Sequence, residues 1–134
     1  MTSAATRPTL LLVDDSTEVL EQASAYLEHQ GYRVVCVADA FDALAVMREQ
    51  KPHLVILDIQ MPFEGDAVAR LLDRFHSTPL IYYSAVDDSV GEALARKSKN
   101  ASFVPKGTGL RALAREIAGR LIAEAEIIPP RGPS

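Results

Sequence analysis

Five polar residues end or closely follow the most apolar stretches of this chain. Asp14 and Asp15 follow Leu10-Leu11-Leu12-Val13, Asp58 follows Leu54-Val55-Ile56-Leu57, Ser84 follows Leu80 to Tyr83, and Lys106 comes two residues after Val104. Brought together, they form an electrostatic problem with a chemical solution. Two unit charges about 4 Å apart repel by roughly 4 kcal/mol at an effective dielectric of ~20, so three convergent carboxylates weaken a fold unless they are compensated. Lys106 offsets one negative charge, and a divalent cation would offset the other two. No His or Cys stands at a matching strand end, so the donors are all oxygen and suit a hard ion, Mg²⁺ or Mn²⁺. Mg²⁺ typically takes one or two carboxylates and completes its shell with water and phosphate oxygens. Such a set is suited to phosphoryl chemistry. Asp58 is the expected nucleophile, forming an acyl phosphate, with Lys106 and the metal neutralising the transferring group and Ser84 donating a hydrogen bond to it.

Taken singly, each residue has a plainer reading. Asp15-Ser16-Thr17-Glu18 has the form of a helix capping box led by Asp15. Asp14 suits a solvated strand end, Asp58 a partner for a nearby base, Ser84 a turn and Lys106 the surface. Convergence decides between the readings, and convergence depends on the elements. Thr9–Val13 and Leu54–Leu57 are apolar without alternation, as strands buried on both faces are. Tyr32–Val37 is rich in β-branched residues, Leu80–Tyr83 reads as a fourth strand, and Ser102–Val104 as a short fifth.

Between the strands the period changes to that of helices. Val19, Leu20, Ala23, Tyr26 and Leu27 share one face of a first helix, which Gly31 stops. Asp39 or Asp42 opens a second, carrying Leu44, Val46 and Met47 and ending before Pro52. Val68, Leu71, Leu72 and Phe75 mark a third. Residues 88–98 form a weaker fourth with Val90, Ala93 and Leu94 inward. Thr108 caps a fifth whose apolar face is Leu110, Leu113, Ala114, Ile117 and Leu121. Strands alternating with helices predict an α/β fold, a doubly wound, flavodoxin-like parallel sheet of five strands in the order 2-1-3-4-5 with five helices. In that order all five polar groups lie on one edge of the sheet, and Asp14, Asp15 and Asp58 meet at the switch point between strands 1 and 3.

The chain has 134 residues, 48% of them apolar and 24% charged, with a net charge of -4, which suits one compact domain. Residues 1–8 read as a flexible leader, 9–124 as the domain and 125–134 as a flexible Pro-rich tail. Beyond Arg96, Lys97 and Lys99 there is no basic cluster, so nucleic acid is not an expected partner of the domain. No apolar run approaches the ~20 residues of a membrane span, and Met1–Thr6 lacks the apolar core of a signal peptide. The single Cys36 excludes an internal disulfide and points to the cytoplasm; it reads as a small buried hydrophobe.

Four pieces in order, Leu11-Leu12-Val13-Asp14-Asp15, Asp58-Ile59-Gln60-Met61-Pro62, Ser84-Ala85 and Pro105-Lys106, give the chain a specific resemblance. Over residues 9–124 it resembles the receiver domain of two-component response regulators, in its stand-alone form. The resemblance implies a signalling domain, not an enzyme. Asp58 is then the phosphoacceptor, charged from a histidine of a sensor kinase or phosphotransfer protein. Asp15, Asp58 and the backbone carbonyl of Gln60 are then the Mg²⁺ ligands, with Asp14 acting through water. It makes Ser84 the hydroxyl that moves toward the phosphoryl group and Phe103 the aromatic whose rotamer reports it; plain core packing of Phe103 is an equal reading. It further implies a protein target on the face formed by the fourth helix, fifth strand and fifth helix, in a monomer or weak homodimer.

Three features depart from the family pattern. Pro62-Phe63-Glu64-Gly65 is about one residue short. Gly107 stands where a cis proline is usual, predicting either a trans bond with a rearranged loop or a strained cis bond. The turn Lys97-Ser98-Lys99-Asn100 replaces a Gly-Ala-rich one. The alternative is therefore a phosphorylation-independent receiver-like interaction domain. Enzymes of related fold fit less well: a dehalogenase-type phosphatase wants an acid at Gln60, and a flavodoxin's phosphate loop would be repelled by Asp14-Asp15.

Overall fold

The computed structural model describes residues 7–60, 78–97 and 100–127. Five strands form one parallel sheet: β1 (Thr9–Val13), β2 (Arg33–Val37), β3 (Leu54–Leu57), β4 (Leu80–Ser84) and β5 (Ala101–Pro105), in the order β2-β1-β3-β4-β5. This is the expected order, with its switch point between β1 and β3. Four α-helices are described: α1 (Thr17–His29), α2 (Ala40–Gln50), α3 (Asp88–Arg96) and α4 (Gly109–Ile127). They correspond to the first, second, fourth and fifth helices read from the sequence. The expected helix around residues 68–75 and the loop at 62–65 lie outside the described residues.

The unalternating strands are explained by two cores, one on each sheet face. Leu11, Val13, Val55, Leu57, Leu80 and Tyr82 pack with Ala40, Ala43 and Met47 of α2 and Ala95 of α3. On the opposite face, Leu10, Leu12, Leu54, Ile56, Ile81 and Tyr83 meet Ala23 and Leu27 of α1 and Leu113 and Ile117 of α4. Alternate residues of each central strand thus serve different helices, and none is free to be polar.

Local chemistry sets the helix ends. Ser16, not Asp15, is the N-cap of α1; its hydroxyl accepts from the Val19 N–H at 3.3 Å. The expected capping box led by Asp15 therefore does not form: the cap falls one residue later, where Val19 has no side-chain acceptor to complete a box, and Asp15 is exposed at the sheet edge. Gly31, at φ +106°, ends α1 in a conformation that costs a residue with a Cβ. Asp39 caps α2 by accepting from the Asp42 N–H at 2.8 Å. Thr108 does not cap the last helix as expected. Lys106–Thr108 form a 3₁₀ turn, and the Thr108 hydroxyl donates backward to the Pro105 carbonyl at 2.7 Å. That last helix, α4, runs to Ile127, beyond the expected start of the tail at 125.

Two side chains lie elsewhere than expected. Cys36 is exposed, because β2 is an edge strand with a neighbour on one side only. In α3 the inward residues are Gly91 and Ala95 with Leu94 half-buried, whereas Val90 is 51% exposed. The close approach of β5 to Gly91 turns that face inward and Val90 outward.

Asn100, the residue before β5, is tied down from α4. The Arg120 guanidinium donates to both the backbone carbonyl and the side-chain oxygen of Asn100, at 2.6 and 2.9 Å. The same carbonyl accepts from Leu80 N–H, joining Asn100 to β4. Charge-assisted hydrogen bonds contribute about 1.5–3 kcal/mol each when buried. Arg120→Ala is expected to lower stability by about 1–2 kcal/mol after allowance for partial exposure, read as a lower urea midpoint with an unchanged slope.

Candidate phosphoryl and metal site

Strand register builds the site. Val13 pairs with Leu57, so Asp14 and Asp58 are the next residues along adjacent parallel strands. Tyr82 pairs with Leu57 and Ser84 with Pro105, which brings Ser84 and Lys106 to the same edge. Backbone hydrogen bonds extend the ladder to the acids: Asp58 N–H donates to Val13 carbonyl at 3.0 Å, and Asp14 N–H to Val37 carbonyl at 3.2 Å.

Both carboxylate oxygens of Asp58 have partners. One carboxylate oxygen, Oδ1, accepts from the Ser84 hydroxyl at 2.8 Å and from the Gln60 N–H at 3.0 Å. The other, Oδ2, accepts from Lys106 Nζ at 3.2 Å. Lys106 lies closer still to Asp14, with Nζ 2.8 Å from Oδ2, and Asp14 Oδ1 accepts from the Ser16 N–H at 2.9 Å. Asp14 and Asp58 are buried, Asp15 is exposed, and one ammonium bridges the two buried acids.

Burial alone works against the charge on Lys106. Its hydrogen bonds and charge interactions with Asp14 and Asp58 outweigh that cost and hold its pKa above the ordinary lysine value. The ammonium also stands 5.9 Å from the centroid of the Tyr83 ring, within cation–π range. Burial raises the Tyr83 pKa, the Lys106 charge opposes this, and Asp14 adds to it. The phenol is therefore a neutral floor beneath the ammonium.

Oxygens of Asp14, Asp15 and Asp58 lie within 4.8 Å of one another. That spacing and an all-oxygen donor set fit one hard divalent cation. One exposed member gives such an ion access from solvent.

The residues singled out in the sequence thus come together: Asp14, Asp58, Ser84 and Lys106 in direct contact, Asp15 beside them, Gln60 through its N–H. Phe103 stands apart from them, half-buried against the core shared by α2 and α3. Gly107 follows Lys106 without a cis bond; among the described residues every peptide is trans, and the turn is the 3₁₀ turn already noted. Sequence reasoning missed one participant, Tyr83, which gave no signal beyond its place before Ser84.

Comparison with known proteins agrees with this architecture. Residues 10–118 match the family described as the response regulator receiver domain. The transcriptional regulatory protein AfsQ1 of Streptomyces coelicolor is 32% identical over 100 residues, which span 74% of this chain and 44% of that protein. The DNA-binding response regulator MtrA of Mycolicibacterium smegmatis is 29% identical over 116 residues, 86% of this chain and 51% of that one. The chain therefore spans about half the length of these relatives. Among solved structures, a CheY-like receiver domain protein from Methanospirillum hungatei JF-1 superposes with a TM-score of 0.80 at 22% identity, covering 91% of this chain and 99% of that one. The BeF3-activated N-terminal receiver domain of Klebsiella pneumoniae RstA gives 0.74 at 25% identity, covering 84% and 97%. With a family match over most of its length and the fold in agreement, the chain belongs to the response regulator receiver domains.

Proposed function

We propose that this domain is the phosphoacceptor of a two-component phosphorelay and that Asp58 takes the phosphoryl group from a phosphohistidine. The observation that carries this reading is the double ion pair of Lys106 with Asp14 and Asp58, beside the Ser84 hydrogen bond to Asp58. It holds the nucleophile at the rim between an ammonium and a hydroxyl that both donate to it. In the transfer, an Asp58 oxygen bonds to phosphorus as the P–N bond breaks. The electron pair of that bond returns to the imidazole, which takes up a proton from solvent. Lys106 faces the negative charge of the transferring group, and Ser84 exchanges a carboxylate oxygen for a phosphoryl oxygen as its acceptor.

Asp15 and Asp58, with the Gln60 carbonyl and with Asp14 through water, would hold Mg²⁺. Bound there, the ion neutralises phosphoryl oxygens. Asp15 is the acid that the protein itself leaves exposed, so it is the one whose removal affects the ion more than the fold. Asp15→Asn is expected to weaken Mg²⁺ binding about tenfold or more, in line with loss of a charged ligand, while shifting the thermal midpoint in chelator by less than a degree or two. Titration of Mg²⁺ followed by amide chemical shifts of residues 14, 58 and 84 checks this.

The partners supported are a histidine kinase or phosphotransfer protein and a downstream protein docking on α3, β5 and α4, where Val90 is exposed. With its net charge of -4 the domain itself is not expected to bind nucleic acid. Among the described residues no helix is long and apolar enough to cross a membrane. The phosphorylation-independent reading drew on Gly107 and the short loop. A trans 3₁₀ turn that still delivers Lys106 to both acids removes the first of these motives. Incubation with beryllofluoride and Mg²⁺ tests the proposal: chemical shifts around Asp58 and Ser84 should change on their joint addition. Their indifference to the pair of reagents would sink it.

A further inference from the structure

Gly91 is the fourth residue of α3 and is buried. Glycine is the poorest helix former after proline, so its place inside a short helix calls for a packing reason. The reason is the Phe103 ring. A Cβ built on Gly91 would overlap Cε1, Cδ1 and Cζ of that ring. The ring thus lies against bare backbone of α3, in a seat that no other residue type at 91 leaves open. Around it, Leu94 and Ala95 from α3 and Tyr82 from β4 belong to the same core.

We propose that Gly91 is the positioning residue for Phe103: the missing side chain defines the ring's seat beneath α3, and any side chain there drives the ring out and separates α3 from β5. The link to signalling rests on reading Phe103 as the reporting aromatic. Ring occupancy then sets how closely α3 sits on β5, on the face a target would touch. Gly91 would be the residue that permits both positions.

The test is a double-mutant cycle with a reversal of sign. In the otherwise unaltered chain, Gly91→Ala should lower the folded-to-unfolded ratio about tenfold or more, because overpacking outweighs the better helix propensity. In a Phe103→Ala background the same change should raise the ratio about fourfold, since alanine is the better helix former once the ring is gone. Equal loss in both backgrounds overturns the proposal, as does a double variant that does not fold. A second measurement needs only the single variant. With 4-fluorophenylalanine placed at 103, Gly91→Ala should move the ¹⁹F resonance toward the solvent-exposed value; an unmoved resonance overturns the proposal. Phosphorylation by acetyl phosphate, followed by mass in both proteins, is separate. Its absence from both would remove the phosphoacceptor reading and leave the Gly91–Phe103 seat standing.

Discussion

Asp58→Asn is expected to abolish the mass increase produced by acetyl phosphate and Mg²⁺, with no residual adduct on the intact domain. The amide lacks an anionic oxygen, and attack on phosphorus depends on one. Otherwise the change removes one contact, because the amide NH₂ in place of Oδ2 cannot accept from Lys106, which keeps its pair with Asp14. An amide oxygen at the Oδ1 position still accepts from the Ser84 hydroxyl and the Gln60 N–H, the two bonds that orient the side chain. Neither neighbouring acid is placed to take over. Asp14 is buried, with one oxygen on the Ser16 N–H and the other on Lys106. Asp15 is exposed and lies two residues beyond the end of the β1 ladder. An adduct forming on the variant at the unaltered rate would show that the phosphoryl group goes elsewhere.

Lys106→Met should separate the contribution of this lysine to holding the metal-free site together from the role proposed for it at the phosphoryl group. Methionine keeps much of the apolar stem and removes the ammonium. Asp14 Oδ2 and Asp58 Oδ2, which share one nitrogen at 2.8 and 3.2 Å, are then left facing each other without a cation. Breaking a fully buried pair costs about 3–5 kcal/mol. The lysine side chain is 21% exposed, so in chelator a loss of about 2 kcal/mol is expected. Saturating Mg²⁺ should recover part of that loss, because it supplies positive charge to the same oxygens, and should stabilise the variant more than the unaltered domain. Thermal midpoints of both proteins with chelator and with Mg²⁺ provide the four numbers needed. A variant that Mg²⁺ stabilises no more than the original would show that lysine and metal do not share the carboxylates. Phosphorylation should be slowed even at saturating Mg²⁺, since the ion does not replace the donor facing the transferred group.

These two effects are large for a reason already present in the chain: carboxylates at the ends of buried strands. The unbroken apolar runs at 10–13 and 54–57, each closed by an acid, predicted strands covered on both faces, and the alternation of five strands with helices predicted their order and the edge on which the polar groups gather. Burial on both faces leaves no position in such strands for a polar residue except at the ends, so the pattern and the site have one cause. Asp14, Asp15, Asp58, Ser84 and Lys106 were legible for the same reason, since each ends or follows a strand.

Other features depended on relations that no one-dimensional pattern carries. Which serine or acid caps α1 was settled by backbone geometry, so Ser16 took the place predicted for Asp15. Which side of α3 faces inward was settled by the Phe103 ring against Gly91, so Val90 is exposed although periodicity alone placed it inside. Cys36 is open to solvent because its strand ends the sheet, a fact of strand order and not of the apolar run around it. The sharing of one ammonium by Asp14 and Asp58 needed the trans turn after Lys106 as well as the register of three strands. Composition along the chain determined which residues reach the rim, because apolar burial is a property of each segment. Distances between those residues, and the packing of rings on backbone, were decided only when separate segments met in three dimensions.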